Sequence, residues 1–173
     1  MRPSVTTERL RDFMRMIASE ARDSGRIYIA GGASALIRGW REMTVDVDIK
    51  IVPENNRILR ALPDVKERLN INIELASPAD FVPPLPRWEE RSPLIEQIDR
   101  VAFHHFDFYT QCLSKLERGH RKDLDDVASM VREKLVDPKK LLVLFREVES
   151  QLFRYPAIDP PTLRASVEAF ALQ

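Results

Sequence analysis

Residues 44–51 read Thr-Val-Asp-Val-Asp-Ile-Lys-Ile, a strict alternation of apolar and polar side chains. An extended strand sorts such a run into two faces, because residues two apart project to the same side. Val45, Val47, Ile49 and Ile51 then share one face, and Asp46, Asp48 and Lys50 share the other. Two carboxylates side by side repel one another unless positive charge sits between them, and a divalent metal is the usual solution. Upstream, the apolar segment Ile27–Ala30 ends in Gly31-Gly32, an apolar-rich piece runs from Ala33 to Trp40, and thirteen residues separate Gly32 from Asp46. The expected order is strand, glycine turn, short helix, strand.

Composition narrows the class. A chain of 173 residues can bury one core, with a small appended subdomain at most. Its 27 basic and 27 acidic residues cancel, which argues against a generally basic nucleic-acid binder and leaves room for a local basic patch. A single cysteine, Cys112, excludes an intrachain disulfide and a cysteine-rich zinc site. There is no apolar run of membrane-spanning length, no signal-peptide pattern and no internal repeat. The expectation is a cytoplasmic protein with no membrane partner.

In chain order, Thr6 or Thr7 caps a helix from about Glu8, with Leu10, Phe13, Met14 and Ile17 on one face and Gly25 as its stop. Ser34 either offers its hydroxyl to a phosphate or caps the short helix it opens. Arg38 and Arg41 either reach phosphates, since arginine forms forked bonds to their oxygens, or lie as solvated surface charge. Trp40 suits the core or its rim. Pro53-Glu54 opens a helical stretch to Leu62, Pro63 interrupts it, and a second short helix reaches Leu69. Ile71–Leu75 alternates as a strand with Asn72 and Glu74 on its polar face. The proline-rich stretch 77–86 is read as an ordered loop bordering the site, with Asp80 as an alternative acidic residue to Glu74. Leu94–Ile98 and Val101–His105 pair as a hairpin, which puts one of His104 and His105 inside and the other outside. A helix from Asp107 to Gly119 carries an apolar line through Phe108, Cys112 and Leu116 and an adjoining polar line of Gln111, Lys115 and Arg118. The next helix has apolar positions at Leu124, Val127, Ala128, Val131 and Leu135. Asp137-Pro138 and Asp159-Pro160-Pro161 open two further helices that read as packing.

Gly31-Gly32 followed by Asp46-Val47-Asp48 resembles the signature of the nucleotidyltransferase-fold superfamily, a Gly-Gly or Gly-Ser pair followed by an Asp-apolar-Asp strand. Lys115-Leu116-x-Arg118 with Lys122-Asp123-x-x-Asp126 resembles the C-terminal half of the AbiEii/MenT-like group, toxins of bacterial toxin–antitoxin pairs. Together these features cover about Ile27 to Leu135. The resemblance implies that Gly31, Gly32 and Ser34 cradle a triphosphate, the glycines by letting the backbone come close. It implies that Asp46, Asp48 and Glu74 hold one or two Mg2+ ions, with glutamate where the family often has aspartate. It places Lys115 and Asp123 in the active site and leaves Asp126 structural; Lys115 and one of Arg38 and Arg41 would then balance the nucleotide's charge.

The expected fold is α/β (α+β): a small mixed sheet of the polymerase-beta-like type flanked by helices, then a helical C-terminal part. Residues 1–106 form the core, and 107–173 pack on it as one compact unit. The expected function is Mg2+-dependent transfer of an NMP from an NTP to a hydroxyl, with tRNA as acceptor and a cognate antitoxin as partner. The alternatives are a small-molecule or protein acceptor, and a non-catalytic or regulatory nucleotide-binding member of the same fold.

Overall fold

The structure is a computed structural model and describes residues 3–173. The chain divides into two compact units, one formed by the chain up to Ser77 together with Ser92–Phe106, the other by Pro78–Arg91 together with Asp107–Gln173. The first is a mixed α/β unit and the second is helical.

The α/β unit contains α1 (Thr7–Glu20), β1 (Gly25–Ala30), α2 (Gly31–Ile37), β2 (Asp46–Val52), α3 (Asn56–Leu69), β3 (Asn72–Glu74), β4 (Leu94–Ile98) and β5 (Val101–His105). The sheet order is β3-β2-β1-β5-β4. β1 runs antiparallel to β2 and parallel to β5, β2 is parallel to β3, and β4 and β5 form the expected hairpin. One sheet face carries Ile27, Ile29, Val47, Ile49, Ile73, Val101 and Phe103. These join Leu10, Phe13, Met14 and Ile17 of α1, Leu36 of α2 and Ile58, Leu62 and Val65 of α3 in one buried cluster. The alternation in β2 therefore sorts its residues as expected, with Val47 and Ile49 buried and Asp46, Asp48 and Lys50 partly exposed on the opposite side.

Three local expectations are corrected. Val45 is exposed, because β2 begins at Asp46 and the alternation of faces starts there. Gly25 does not stop α1, which ends at Glu20; Gly25 opens β1, its N–H donating to the Arg100 carbonyl at 3.1 Å. Pro63 does not interrupt α3, which begins not at Pro53 but at Asn56, after Asn55, whose side chain caps the N–H groups of Arg57 and Ile58. A proline inside a helix costs about 3 kcal/mol. Burial of Ile58, Leu62 and Val65, at about 1.5–3 kcal/mol each, outweighs it.

The helical unit contains α4 (Phe108–Arg118), α5 (Arg121–Arg132), α6 (Pro138–Val148) and α7 (Pro160–Ala171). Asp137 and Asp159 cap α6 and α7 as their Asp-Pro pairs predict. Every residue of α4 from Phe108 to Lys115 is buried, so the polar line of Gln111 and Lys115 is internal, not solvated. The excursion Pro78–Arg91 belongs to this unit, and its fastening is polar. Arg91 donates from Nε and Nη2 to the two oxygens of the fully buried Asp107, at 3.2 and 2.8 Å, and from Nη1 to the Pro86 carbonyl. Asp107 also accepts from the N–H groups of Tyr109 and Thr110 and from the Thr110 hydroxyl, so one carboxylate both caps α4 and anchors the excursion. Tyr155 adds a bond from its hydroxyl to the Ala79 carbonyl.

Candidate active site

Asp46 and Asp48 lie on β2, and Glu74 lies on the adjacent edge strand β3. β1 and β2 pair so that Ala30 lies opposite Asp48, which brings the turn after β1 beside that carboxylate. Gly31 has φ +62°, a conformation that penalises any residue with a Cβ. A Cβ there would lie only 2.7 Å from Asp48 Oδ2. A Cβ on Gly32 would overlap the Thr44 hydroxyl and come within 3.2 Å of Arg41 Nη1. Both glycines are thus required by close approach. The first meets the Asp48 carboxylate, and the second lies against a threonine hydroxyl and a guanidinium.

β3 extends the acidic edge. Its parallel pairing puts Asn72 opposite Asp46 and Glu74 opposite Asp48. The Asn72 amide donates to Asp46 Oδ1 at 2.7 Å and to Glu74 Oε1 at 3.0 Å. Asp46 and Asp48 are half-buried and Glu74 is exposed. Among the described residues, no three His, Cys, Asp or Glu side chains are grouped so as to hold a metal ion by themselves. Mg2+ is normally held by one or two carboxylates, with water and substrate phosphates completing an all-oxygen shell. Asp46 and Asp48, side by side and partly open, fit that requirement. Asp80, the alternative acidic residue, lies in the helical unit at the end of the short 3-10 turn Pro78–Asp80.

The other residues of the glycine turn are placed differently. α2 begins at Gly31, so Ser34 sits in its first turn and does not cap it. Ser34 is buried, and its hydroxyl lies 2.8 Å from His105 Nδ1. Burial pushes the His105 imidazole down to about 4, with smaller contributions from the Arg38 charge and from His104, so His105 is neutral at pH 7. His104 is partly exposed, hydrogen-bonds the Ser92 carbonyl through Nδ1 at 2.9 Å and lies 5.3 Å from the Tyr28 ring. The pair thus divides between inside and outside as the alternation predicts. Arg38 is exposed, with its guanidinium 6.0 Å from the ring of the half-buried Trp40.

In the helical unit, Lys115 and Asp123 meet in a buried ion cluster. Lys115 Nζ lies 2.7 Å from Asp126 Oδ2 and 3.4 Å from Asp123 Oδ1, and Arg118 Nη2 lies 2.7 Å from the same Asp123 oxygen. Asp126, read from the sequence as structural, is the nearer partner of Lys115. The buried face of α5 turns to match: Asp123, Asp126, Val127 and Met130 are inside, and Leu124, expected in the core, is 46% exposed. A buried ammonium left without a carboxylate would cost several kcal/mol, more than one leucine loses by being half exposed. Cys112, fully buried in α4, has its thiol pushed up by burial and is inert as a nucleophile.

A glycine turn thus lies against one of two neighbouring strand carboxylates, in a mixed sheet flanked by helices. The chain belongs to the family described as nucleotidyltransferase of unknown function (DUF6036), whose model matches residues 8–156. It is therefore a nucleotidyltransferase, a transferase of phosphorus-containing groups. No curated protein and no solved structure matches the chain. Among the described residues, no helix is long and apolar enough to cross a membrane.

Proposed function

We propose that the protein transfers an NMP group from an NTP to an acceptor hydroxyl at the edge formed by Gly31, Gly32, Asp46 and Asp48. The observation that carries this reading is the packing of Gly31 against Asp48, which leaves no side chain between the turn's backbone and the carboxylate. A triphosphate can then lie along the turn while its counter-ion sits on the aspartates. Asp46 and Asp48, with Glu74 flanking, would hold Mg2+, which supplies positive charge to the phosphate oxygens. Arg41, already lying against Gly32, is the nearer guanidinium to the phosphates, and Arg38 is exposed for the same purpose. Ser34 is spent on His105, so its contribution is to hold the turn.

The acceptor oxygen attacks the α-phosphorus, a new P–O bond forms, the bond to pyrophosphate breaks, and the hydroxyl proton leaves to a carboxylate of the acidic edge. Positioning and electrostatics carry such a reaction. Lys115 and Asp123 belong to the helical unit. Two carboxylates and two cations balance within their cluster, which favours a rigid prepaired element over an open phosphate clamp.

We assign tRNA as the acceptor and a toxin's role with a cognate antitoxin, as the resemblance implies. Support comes from the exposed basic run Arg118, His120, Arg121 and Lys122 at the α4–α5 turn, from which Lys115 is withdrawn by burial. Incubation of the purified protein with α-labelled NTPs, Mg2+ and cellular RNA, protein or small-molecule fractions should label the RNA fraction. Asp48→Ala should abolish labelling with the unfolding midpoint preserved. Full labelling by that variant would exclude the mechanism, and labelling confined to protein or small molecules would exclude tRNA.

A further inference from the structure

His105 reaches the glycine turn from a distant part of the chain. Its Nδ1 and the Ser34 hydroxyl are 2.8 Å apart, a full hydrogen bond whichever of the two donates. The imidazole stands on a rigid base. β5 is parallel to β1, with His105 opposite Ile29, two residues before Gly31. The His105 N–H donates to the Pro93 carbonyl at 2.9 Å, and the next N–H, of Phe106, donates to the Ile29 carbonyl at 2.8 Å. The backbone that carries the ring is thus tied on both sides. Ser34 is held less firmly by its own segment. α2 has only seven residues, its N-cap Ala30 makes no side-chain hydrogen bond, and its other buried residues are Ala33, Ala35 and Leu36. Apolar packing is non-directional, so such small side chains resist sliding of a short helix weakly, whereas a hydrogen bond fixes both distance and direction.

Resting on the reading of the glycine turn as the seat of the triphosphate, we propose that His105 is a positioning residue for nucleotidyl transfer: planted on the end of β5, its imidazole holds the Ser34 hydroxyl and through it fixes Gly31 and Gly32 against Asp48. Burial explains why each of the two polar groups has a partner. It does not explain why the partner of a serine in the first turn of α2 comes from the neighbouring strand's end. That choice registers the turn on the sheet that also carries Asp48. Gly31 leaves no room for even one Cβ beside that carboxylate, so the turn has to be placed to a fraction of an ångström. His105 touches neither phosphate nor acceptor and acts only through Ser34.

Calorimetric titration with inorganic tripolyphosphate and Mg2+ reads the turn without the reaction, and transfer kinetics with labelled NTP give KM and kcat beside it. Both are run far below the unfolding transition, so that only folded protein is compared. His105→Phe keeps a planar ring and removes its nitrogens, and should weaken tripolyphosphate binding and raise KM about tenfold. His105→Gln, which can still bond the hydroxyl, should restore wild-type binding. Ser34→Ala breaks the same bond from the other end, at a helical position that suits alanine, and covers the case in which His105→Phe does not fold. The double variant Ser34→Ala/His105→Phe should lose no more than either single one, because both remove one bond. A merely structural role would lower the unfolding midpoint and leave the affinity of the folded protein unchanged. Wild-type affinity in folded His105→Phe or in Ser34→Ala, an undiminished loss in His105→Gln, or additive losses in the double variant would overturn the role of His105 and leave the transferase reading standing. Neither tripolyphosphate binding nor transfer by the wild type would overturn that reading itself.

Discussion

Gly31→Ala separates backbone strain from damage to the site, because the fold supplies its own control. Gly31 and Gly39 both adopt left-handed φ, at +62° and +77°. A Cβ on Gly39 would meet nothing within 4 Å, so Gly39→Ala carries the conformational penalty alone, about 1–2 kcal/mol. Gly31→Ala carries the same penalty plus a contact of 2.7 Å with Asp48 Oδ2, which must withdraw by about 0.7 Å to reach ordinary van der Waals separation. A carboxylate can swing that far, so the added cost in stability is small. A displacement approaching 1 Å at a reacting centre lowers rates on the order of 100-fold, about 2.7 kcal/mol of transition-state stabilisation. The expected outcome is two variants with similar urea midpoints, of which Gly39→Ala transfers label at the wild-type rate and Gly31→Ala at about one-hundredth of it. Equal transfer rates in the two variants would refute the assignment of Asp48 and its glycine neighbour to catalysis.

Two further predictions concern buried charge. Lys115→Met removes the ammonium that Asp123 and Asp126 share, both carboxylates being nearly inaccessible while Arg118 still pairs with Asp123, and should lose about 3–5 kcal/mol in urea unfolding, with Lys115→Met/Asp126→Asn recovering part of that loss. A loss under about 1 kcal/mol would mean that the cluster does not hold α4 to α5. His105 binds its proton more weakly folded than unfolded, so the unfolded chain takes up the proton first as pH falls. Stability should therefore be full above about 6.5 and decline toward pH 4, by an amount on the order of 3 kcal/mol for a shift of this size. His105→Gln, which can still bond Ser34, should flatten that part of the profile, and an unchanged slope would assign the acid sensitivity elsewhere.

Much of the α/β unit is legible from local pattern. The period of two in residues 44–51 puts Val47 and Ile49 inside and Asp46 and Asp48 outside whatever they pair with, because strand geometry alone sorts them. Asp107, Asp137 and Asp159 announce their helices, because a side-chain cap reaches only the next few backbone N–H groups. Where cap or period competes with longer-range packing, the reading fails. Pro63 looks like a break and is absorbed, and Gly25 looks like a stop and begins a strand.

The chain's covalent order thus settles which residues share a strand face and which glycines precede the carboxylates, since both depend on neighbours a few positions apart. What each polar group is bonded to was decided only by folding. Lys115 lies eight and eleven positions from its carboxylates, Asn72 twenty-six from Asp46, Ser34 seventy-one from His105, and Arg91 sixteen from Asp107. A buried hydrogen bond or ion pair is strong only when distance and direction are both met. Those are properties of three-dimensional placement, which no spacing along the chain encodes.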